Sequence, residues 1–199
     1  MNNFEASRWG SRLFIIAGFF MLLNTALLWI RLYSEQQMSI LWPAIPAITA
    51  FTFSVLGLLK LYSRISSHVP LFAMGGAGFA LLSCLSLGLA VVWILYMSVV
   101  GGGMPEQQPV GFLLLIATFM VSMILSFLSN AIAFLKHQSQ RKVGLLLTVP
   151  VAMWGIMLLV GILQGMEIGL GLDYYTNAVI AASFLALGFT LKTSHIESA

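Results

Sequence analysis

Charged side chains are scarce in this chain of 199 residues, because Asp, Glu, Lys and Arg together make up only 8% of it. Hydrophobic residues make up 60%. A soluble domain carries about 25% charged residues, so this chain cannot cover a water-facing surface. The scarcity predicts an integral membrane protein whose main partner is the lipid bilayer. The net charge of +3 is gathered in turns beside apolar runs, so we expect no nucleic-acid partner.

Cysteine and histidine are rare as well. Cys84 is the single cysteine, which excludes an internal disulfide bond. The three histidines, His68, His137 and His195, all lie at or beyond the ends of apolar runs. A haem held inside a helical bundle needs axial ligands within that bundle. We therefore predict no haem or other cofactor and no metal site.

Asp, Glu, Lys, Arg and His are missing from the interior of every apolar run. Proton- and ion-coupled carriers use such residues at depth in the membrane, so their absence argues against a proton-driven carrier or pump. The motifs His-Glu-x-x-His and Gly-x-Ser-x-Gly are missing too. We predict no catalytic residues, and the sequence favours a protein that is not an enzyme.

Six apolar runs remain, and each is long enough to cross a hydrocarbon core of about 30 Å as an α-helix. Helix is the expected form because lipid cannot satisfy unpaired backbone groups. We predict an all-α integral membrane protein, a single domain over 1–199 built as a bundle of six transmembrane helices. The predicted helices cover residues 13–30, 38–59, 69–100, 111–135, 143–163 and 174–191.

Positive charge is concentrated on one side of this predicted bundle. With six spans, both termini, the turn after the second helix and the turn at 136–142 share that side. Basic residues in short loops stay cytoplasmic, so we predict a multi-pass protein of the cell membrane with both termini in the cytoplasm. Eight of the nine basic residues lie there: Arg8, Arg12, Lys60, Arg64, Lys136, Arg141, Lys142 and Lys192.

The three even-numbered helices end alike, in Leu59-Lys60, Leu135-Lys136 and Leu191-Lys192. This similarity predicts three tandem helical hairpins, formed by helices 1–2, 3–4 and 5–6. The Leu-Lys pairs are unevenly spaced, whereas a repeat would have a fixed period. The alternative is that any helix leaving the cytoplasmic face tends to end in lysine.

A polar stripe is the most specific pattern, with Thr118, Ser122, Ser126 and Asn130 recurring every four residues on the fourth helix. Such a stripe should face the bundle interior rather than lipid. One interpretation is hydrogen bonding between helices. The other is the lining of a polar cavity or substrate path, with Asn24 on the first helix as part of the facing wall.

The third helix carries small residues at the same spacing, Gly76, Ala80, Cys84 and Gly88. Small residues let helix backbones approach closely in lipid, so this ridge predicts helix packing within the chain or against another subunit. Pro150 falls inside the fifth helix, where it removes a backbone hydrogen bond and predicts a kink. That kink is either structural or a gating hinge.

Acidic residues on the opposite side of the bundle are expected to be solvated loop charges. Glu35, Glu106, Glu167 and Asp173 come from three different loops. Carboxylates can gather around a divalent cation, but their spread over the loops favours exposure to water.

Two functions from different classes fit these features. The uncharged helices, short loops and small-residue ridge favour a non-catalytic subunit or assembly partner of a membrane complex, with other membrane subunits or further copies of the chain as partners. The polar stripe and Pro150 favour the alternative, a small carrier, channel or binder for a neutral or apolar molecule.

Overall fold

The computed structural model describes residues 3–34, 38–39, 41–66, 69–100, 109–136, 140–165 and 171–193. Within these ranges the chain forms six α-helices and no β-strand, and all six helices are long and apolar enough to cross a membrane. The prediction of an all-helical protein with six helices long and apolar enough to span a membrane is therefore confirmed for the described residues. The helices are α1 (Asn3–Tyr33), α2 (Leu41–Ile65), α3 (Pro70–Val99), α4 (Val110–Lys136), α5 (Arg141–Gln164) and α6 (Asp173–Thr193).

Several helices extend beyond their predicted apolar runs. The first begins at Asn3 rather than near residue 13, because helical geometry continues through the polar lead. The second continues past Lys60 to Ile65. The third begins at Pro70, in the first helical position, where a proline costs nothing because that amide has no intrahelical partner.

The helices pack as a closed ring in chain order. Each helix contacts the next one along the chain, and α6 returns to contact α1, while α2 also touches α4. Neighbouring helices are antiparallel: Gly10 near the start of α1 lies beside Lys60 near the end of α2. The start of α1 likewise meets the end of α6, where the Ser11 hydroxyl donates a hydrogen bond of 2.7 Å to the Gly188 carbonyl.

Glycines bring α1 and α6 together at the point where the ring closes. A Cβ atom added at Gly188 would lie 2.5 Å from Cγ1 of Ile15, and one added at Gly18 would lie 2.7 Å from Cγ of Leu185. Each glycine therefore accommodates a large side chain of the other helix. Close approach of this kind is how helices associate where lipid removes the hydrophobic driving force.

Six aromatic side chains, which we name the aromatic core, fill the centre of the ring. Neighbouring rings in this group lie with centroids 5.4 to 6.1 Å apart, within the range of favourable aromatic pairing. They come from every helix except α3 and so join five helices into one packed layer. In order of contact, the aromatic core consists of Phe14, Phe184, Phe127, Trp154, Phe51 and Phe119.

The two ends of the bundle differ in chemistry. We name one the basic end, since it carries six basic residues in the terminal turns or the terminal third of the helices, Arg12, Lys60, Lys136, Arg141, Lys142 and Lys192. At this end the Lys136 ammonium lies 4.4 Å from the centre of the Phe72 ring. At the opposite end the Trp29 ring packs edge-on against Tyr174 and Tyr175, at 5.9 and 5.5 Å. Aromatic groups of this kind are common where helices leave a membrane.

Candidate binding cavity

A cavity of about 300 Å³ lies inside the ring, between the aromatic core and the end of the bundle opposite the basic end. It is partly open to its surroundings, and every helix except α3 contributes to its wall. The volume falls at the lower end of the range for small-molecule sites, about 300 to 1,000 Å³. Its lining consists of Asn24, Leu28, Pro43, Ala44, Ala47, Phe51, Ile116, Met120, Trp154, Met157, Asp173 and Asn177.

Three polar side chains face this otherwise apolar cavity. Asp173 and Asn177 are four residues apart on α6, so they lie on the same helical face, and Asn24 comes from α1. Asn24 is only 3% exposed and Asn177 is 8% exposed, whereas Asp173, the first residue of α6, is half-buried. The site therefore combines two buried carboxamides with one carboxyl group nearer the end of the bundle.

Within the part of the chain that the structure describes, these three polar groups make almost no hydrogen bonds. The Asn24 amide lies 3.8 Å from the Met21 sulfur, a weak contact. Among the described residues, no group hydrogen-bonds to the side chain of Asn177 or Asp173. A buried polar group without a partner costs about 1 to 3 kcal/mol. The carboxamides are therefore oriented toward a cavity that a hydrogen-bonding molecule would fill favourably.

The apolar wall of the cavity is held firmly in position. Trp154, 2% exposed, packs edge-on against Phe127 of the aromatic core with centroids 5.5 Å apart, and Phe51 lies 6.1 Å from Trp154. The Thr176 hydroxyl donates a hydrogen bond of 3.1 Å to the Met157 sulfur. The aromatic core thus forms a packed floor between the cavity and the basic end.

The polar stripe predicted on the fourth helix lies away from this cavity, against α3. The Ser126 hydroxyl donates a hydrogen bond of 2.8 Å to the Gly76 carbonyl of α3, and the Asn130 amide donates one of 2.9 Å to the Ser126 carbonyl. Asn130 also packs so tightly that a Cβ atom at Gly76 would lie 2.5 Å from its Nδ2. These contacts are those of helix packing, and a role in a substrate path stays a prediction.

The other two stripe residues lie farther along the same interface. The Ser122 hydroxyl donates to the Thr118 carbonyl at 2.6 Å, and Thr118 itself is exposed. Both residues border an open, mostly apolar groove of about 300 Å³ between α3 and α4. Asn24, which we expected to face the stripe, instead lines the cavity, so the structure separates this residue from the other four.

The small-residue ridge of α3 is buried at its start and becomes exposed toward its end. Gly76 and Ala80 are buried, Cys84 is half-buried, and Gly88 is exposed with nothing within 4 Å of an added Cβ. A four-residue step turns about 40° around the helix, so such a ridge rotates out of a straight interface. Contact of Gly88 with another subunit stays a prediction.

Pro150 is buried within α5, which is continuous from Arg141 to Gln164. Its position inside the helix matches the expected one, and the kink itself stays a prediction. The expected acidic loop residues Glu35, Glu106 and Glu167 lie outside the described residues.

Sequence reasoning missed the part of the site that α6 supplies. It treated Asp173 as a solvated loop charge and did not single out Asn177. The structure makes Asp173 the first residue of α6 and places both side chains in the cavity wall. The available signal was their four-residue spacing at the start of the last apolar run.

Comparisons of the chain with protein-family models, with curated protein sequences and with solved structures find no significant match. The functional argument therefore depends on the geometry of the cavity.

Proposed function

We propose that this protein is a membrane-embedded binder or carrier of a small molecule, with the cavity as its binding site. The observation that supports this function is the pair of buried carboxamides, Asn24 and Asn177, which face the cavity without a strong protein partner. Polar groups inside a membrane protein are costly and are retained where they serve binding or transport. A cavity lined by apolar and aromatic side chains with a few convergent polar groups is typical of small-molecule sites.

The sequence alone favoured a neutral or apolar molecule for this function, because the apolar runs contain no ionisable residue. Asp173 in the cavity wall removes that restriction, since a carboxyl group there can also recognise a polar or charged ligand. The filled centre of the ring favours a binder or an alternating-access carrier over an open channel, because the aromatic core lies directly beyond the cavity.

A cavity-filling substitution tests this proposal. Ala47→Phe adds a ring inside the cavity, whereas the matched control Ala182→Phe adds the same ring on an exposed position of α6. We expect native mass spectrometry to find a small molecule bound to the wild-type protein and to the control variant, and its loss from Ala47→Phe. Equal small-molecule content in both variants, or none in the wild-type protein, would contradict the proposal.

A non-catalytic subunit of a membrane complex is the second candidate function. It is favoured by the outer face of α3, where Gly78 and Gly88 are exposed and have nothing within 4 Å of an added Cβ. Small residues on a lipid-facing surface let another helix approach closely. The native mass after gentle extraction separates the candidates: co-migration with other polypeptides favours the subunit, and migration alone or as a homo-oligomer favours the binder.

We also propose that both termini are cytoplasmic and that the protein lies in the cell membrane. The support is the clustering of basic residues at one end of the bundle, together with the tendency of such residues to stay in the cytoplasm. Because the cavity lies toward the other end, this orientation directs its opening away from the cytoplasm.

Three tandem hairpins remain our proposal for the origin of the bundle. The direct packing of α1 on α2, α3 on α4 and α5 on α6 is compatible with it. The shared Leu-Lys endings of α2, α4 and α6 are its main support.

A further inference from the structure

The cavity wall contains one carboxyl group and no described basic side chain. Asp173 is the only ionisable residue among the described residues that line the cavity. Arg31 is the basic residue at this end of the described chain, and its Nε donates a hydrogen bond of 3.1 Å to the Met38 carbonyl. No ion pair joins a described basic side chain to Asp173. The carboxyl group is therefore available to a ligand.

A carboxylate at the start of a helix also has a simpler role, because it interacts favourably with the helix dipole. That role explains the position of Asp173 but not the buried, unpartnered amide of Asn177 one turn further into the cavity. Together with Asn24, these residues offer three acceptor groups, two amide oxygens and one carboxylate, in the wall of one cavity. Such a set suits a ligand group that carries several N–H donors.

The opposite wall suits the remainder of such a ligand. The Trp154 and Phe51 rings line the cavity, and Met120 and Met157 fill the space beside them. Aromatic rings attract a nearby cation, and the attraction is stronger where water is excluded. The thioethers supply an adaptable apolar surface. A ligand with a cationic head and an apolar body would match both walls at once.

We infer that the cavity binds a protonated primary or secondary amine with a small apolar body, held by Asp173, Asn24 and Asn177 against Trp154 and Phe51. This inference rests on the proposed function and specifies its ligand class. Two sources can supply the group, a free amine or the ammonium headgroup of an ethanolamine lipid, since the cavity lies toward one end of the membrane-spanning bundle.

The test uses three matched probes on the full-length protein in nanodiscs of phosphatidylcholine, followed by calorimetric titration. The first is 2-phenylethylamine, protonated at neutral pH. The second is 2-phenylethanol, its neutral counterpart. The third is N,N,N-trimethyl-2-phenylethylammonium, the methylated form of the amine, which keeps the positive charge but has no N–H donors. We expect the amine to bind at least about tenfold more tightly than either other probe, a difference of about 1.4 kcal/mol.

Asp173→Asn should weaken binding of the amine at least about tenfold and leave binding of 2-phenylethanol unchanged. Asp173→Glu is the matched control, because it keeps the carboxyl group at this position of the cavity wall, and it should keep the preference for the amine over 2-phenylethanol. The comparison of probes in the wild-type protein needs no substitution, so the inference remains testable even where Asp173→Asn does not fold.

Nanodiscs of phosphatidylethanolamine distinguish the two sources. Competition between this lipid and the amine that is lost in Asp173→Asn would identify the lipid headgroup as a ligand. If the lipid does not compete with the amine, the ligand is a free amine. Equal binding of all three probes would overturn the inference and leave the proposed function intact. If none of the three probes binds, the inference is overturned as well. The comparison of bound small molecules between the wild-type protein and Ala47→Phe would then test the proposed function separately.

Discussion

At the scale of single residues, the same amide side chain has opposite roles in two places. Asn130 is 1% exposed, donates to the Ser126 carbonyl and packs against Gly76, so its hydrogen-bonding group is used within the fold. Asn177 is nearly as buried, yet its amide faces the cavity without a partner. No described residue uses the Asn177 amide, and we propose that a ligand in the cavity does.

These two residues yield a matched pair of predictions. Asn177→Leu removes an unpaired buried amide, so we expect the ligand-free protein to gain about 1 kcal/mol or more in stability while it loses ligand binding. Asn130→Leu removes a used hydrogen bond and inserts a branched side chain against Gly76, so we expect lower stability and retained binding. Thermal unfolding in detergent, with and without the bound molecule, measures both. Loss of binding in Asn130→Leu would instead support the interpretation of the stripe as a substrate path.

Close approach at single glycines sets the spacing of α1 and α6. A methyl group at Gly188 would meet Cγ1 of Ile15 at 2.5 Å and the backbone oxygen of Ser11 at 2.9 Å, and the backbone cannot yield as a side chain can. We therefore expect Gly188→Ala to lower stability by about 1 to 3 kcal/mol, the usual cost of overpacking.

Gly155→Ala provides the control for this prediction, because Gly155 is an exposed glycine of α5 with nothing within 4 Å of an added Cβ. Alanine is the better helix former there, so thermal unfolding should show equal or greater stability. Similar losses in both variants would show that the α1–α6 contact is looser than described.

At the scale of helices, the sequence predicts the number and type of elements because membrane thickness fixes the length of each apolar run. It predicts their ends less well, since α1 begins well inside the polar lead and α6 begins at a residue counted as loop. The stripe and the ridge were found because a four-residue spacing is visible in one helix. The residues that face the stripe and the ridge could not be predicted, because hydropathy does not show which helices are neighbours.

At the scale of the whole molecule, the cavity depends on contacts between residues far apart in the chain. The Ser11–Gly188 hydrogen bond joins the first helix to the last, and only this closure places Asn24 beside the start of α6. No local pattern encodes such a contact. The ring also places the aromatic core between the cavity and the basic end, so we expect a bound molecule to have access from one end of the bundle only.

That one-sided access is testable in intact cells. In a Cys84→Ser background, which removes the single cysteine, Ala44→Cys places a thiol in the cavity wall and Thr193→Cys places one on an exposed position near the basic end. With cytoplasmic termini, we expect a membrane-impermeant thiol reagent to label Ala44→Cys from outside and Thr193→Cys only after the membrane is opened. The reverse pattern would invert the topology and make the cavity a cytoplasmic site. Labelling of Ala44→Cys from both sides would mean that the aromatic core opens, as an alternating-access carrier requires and a static binder does not.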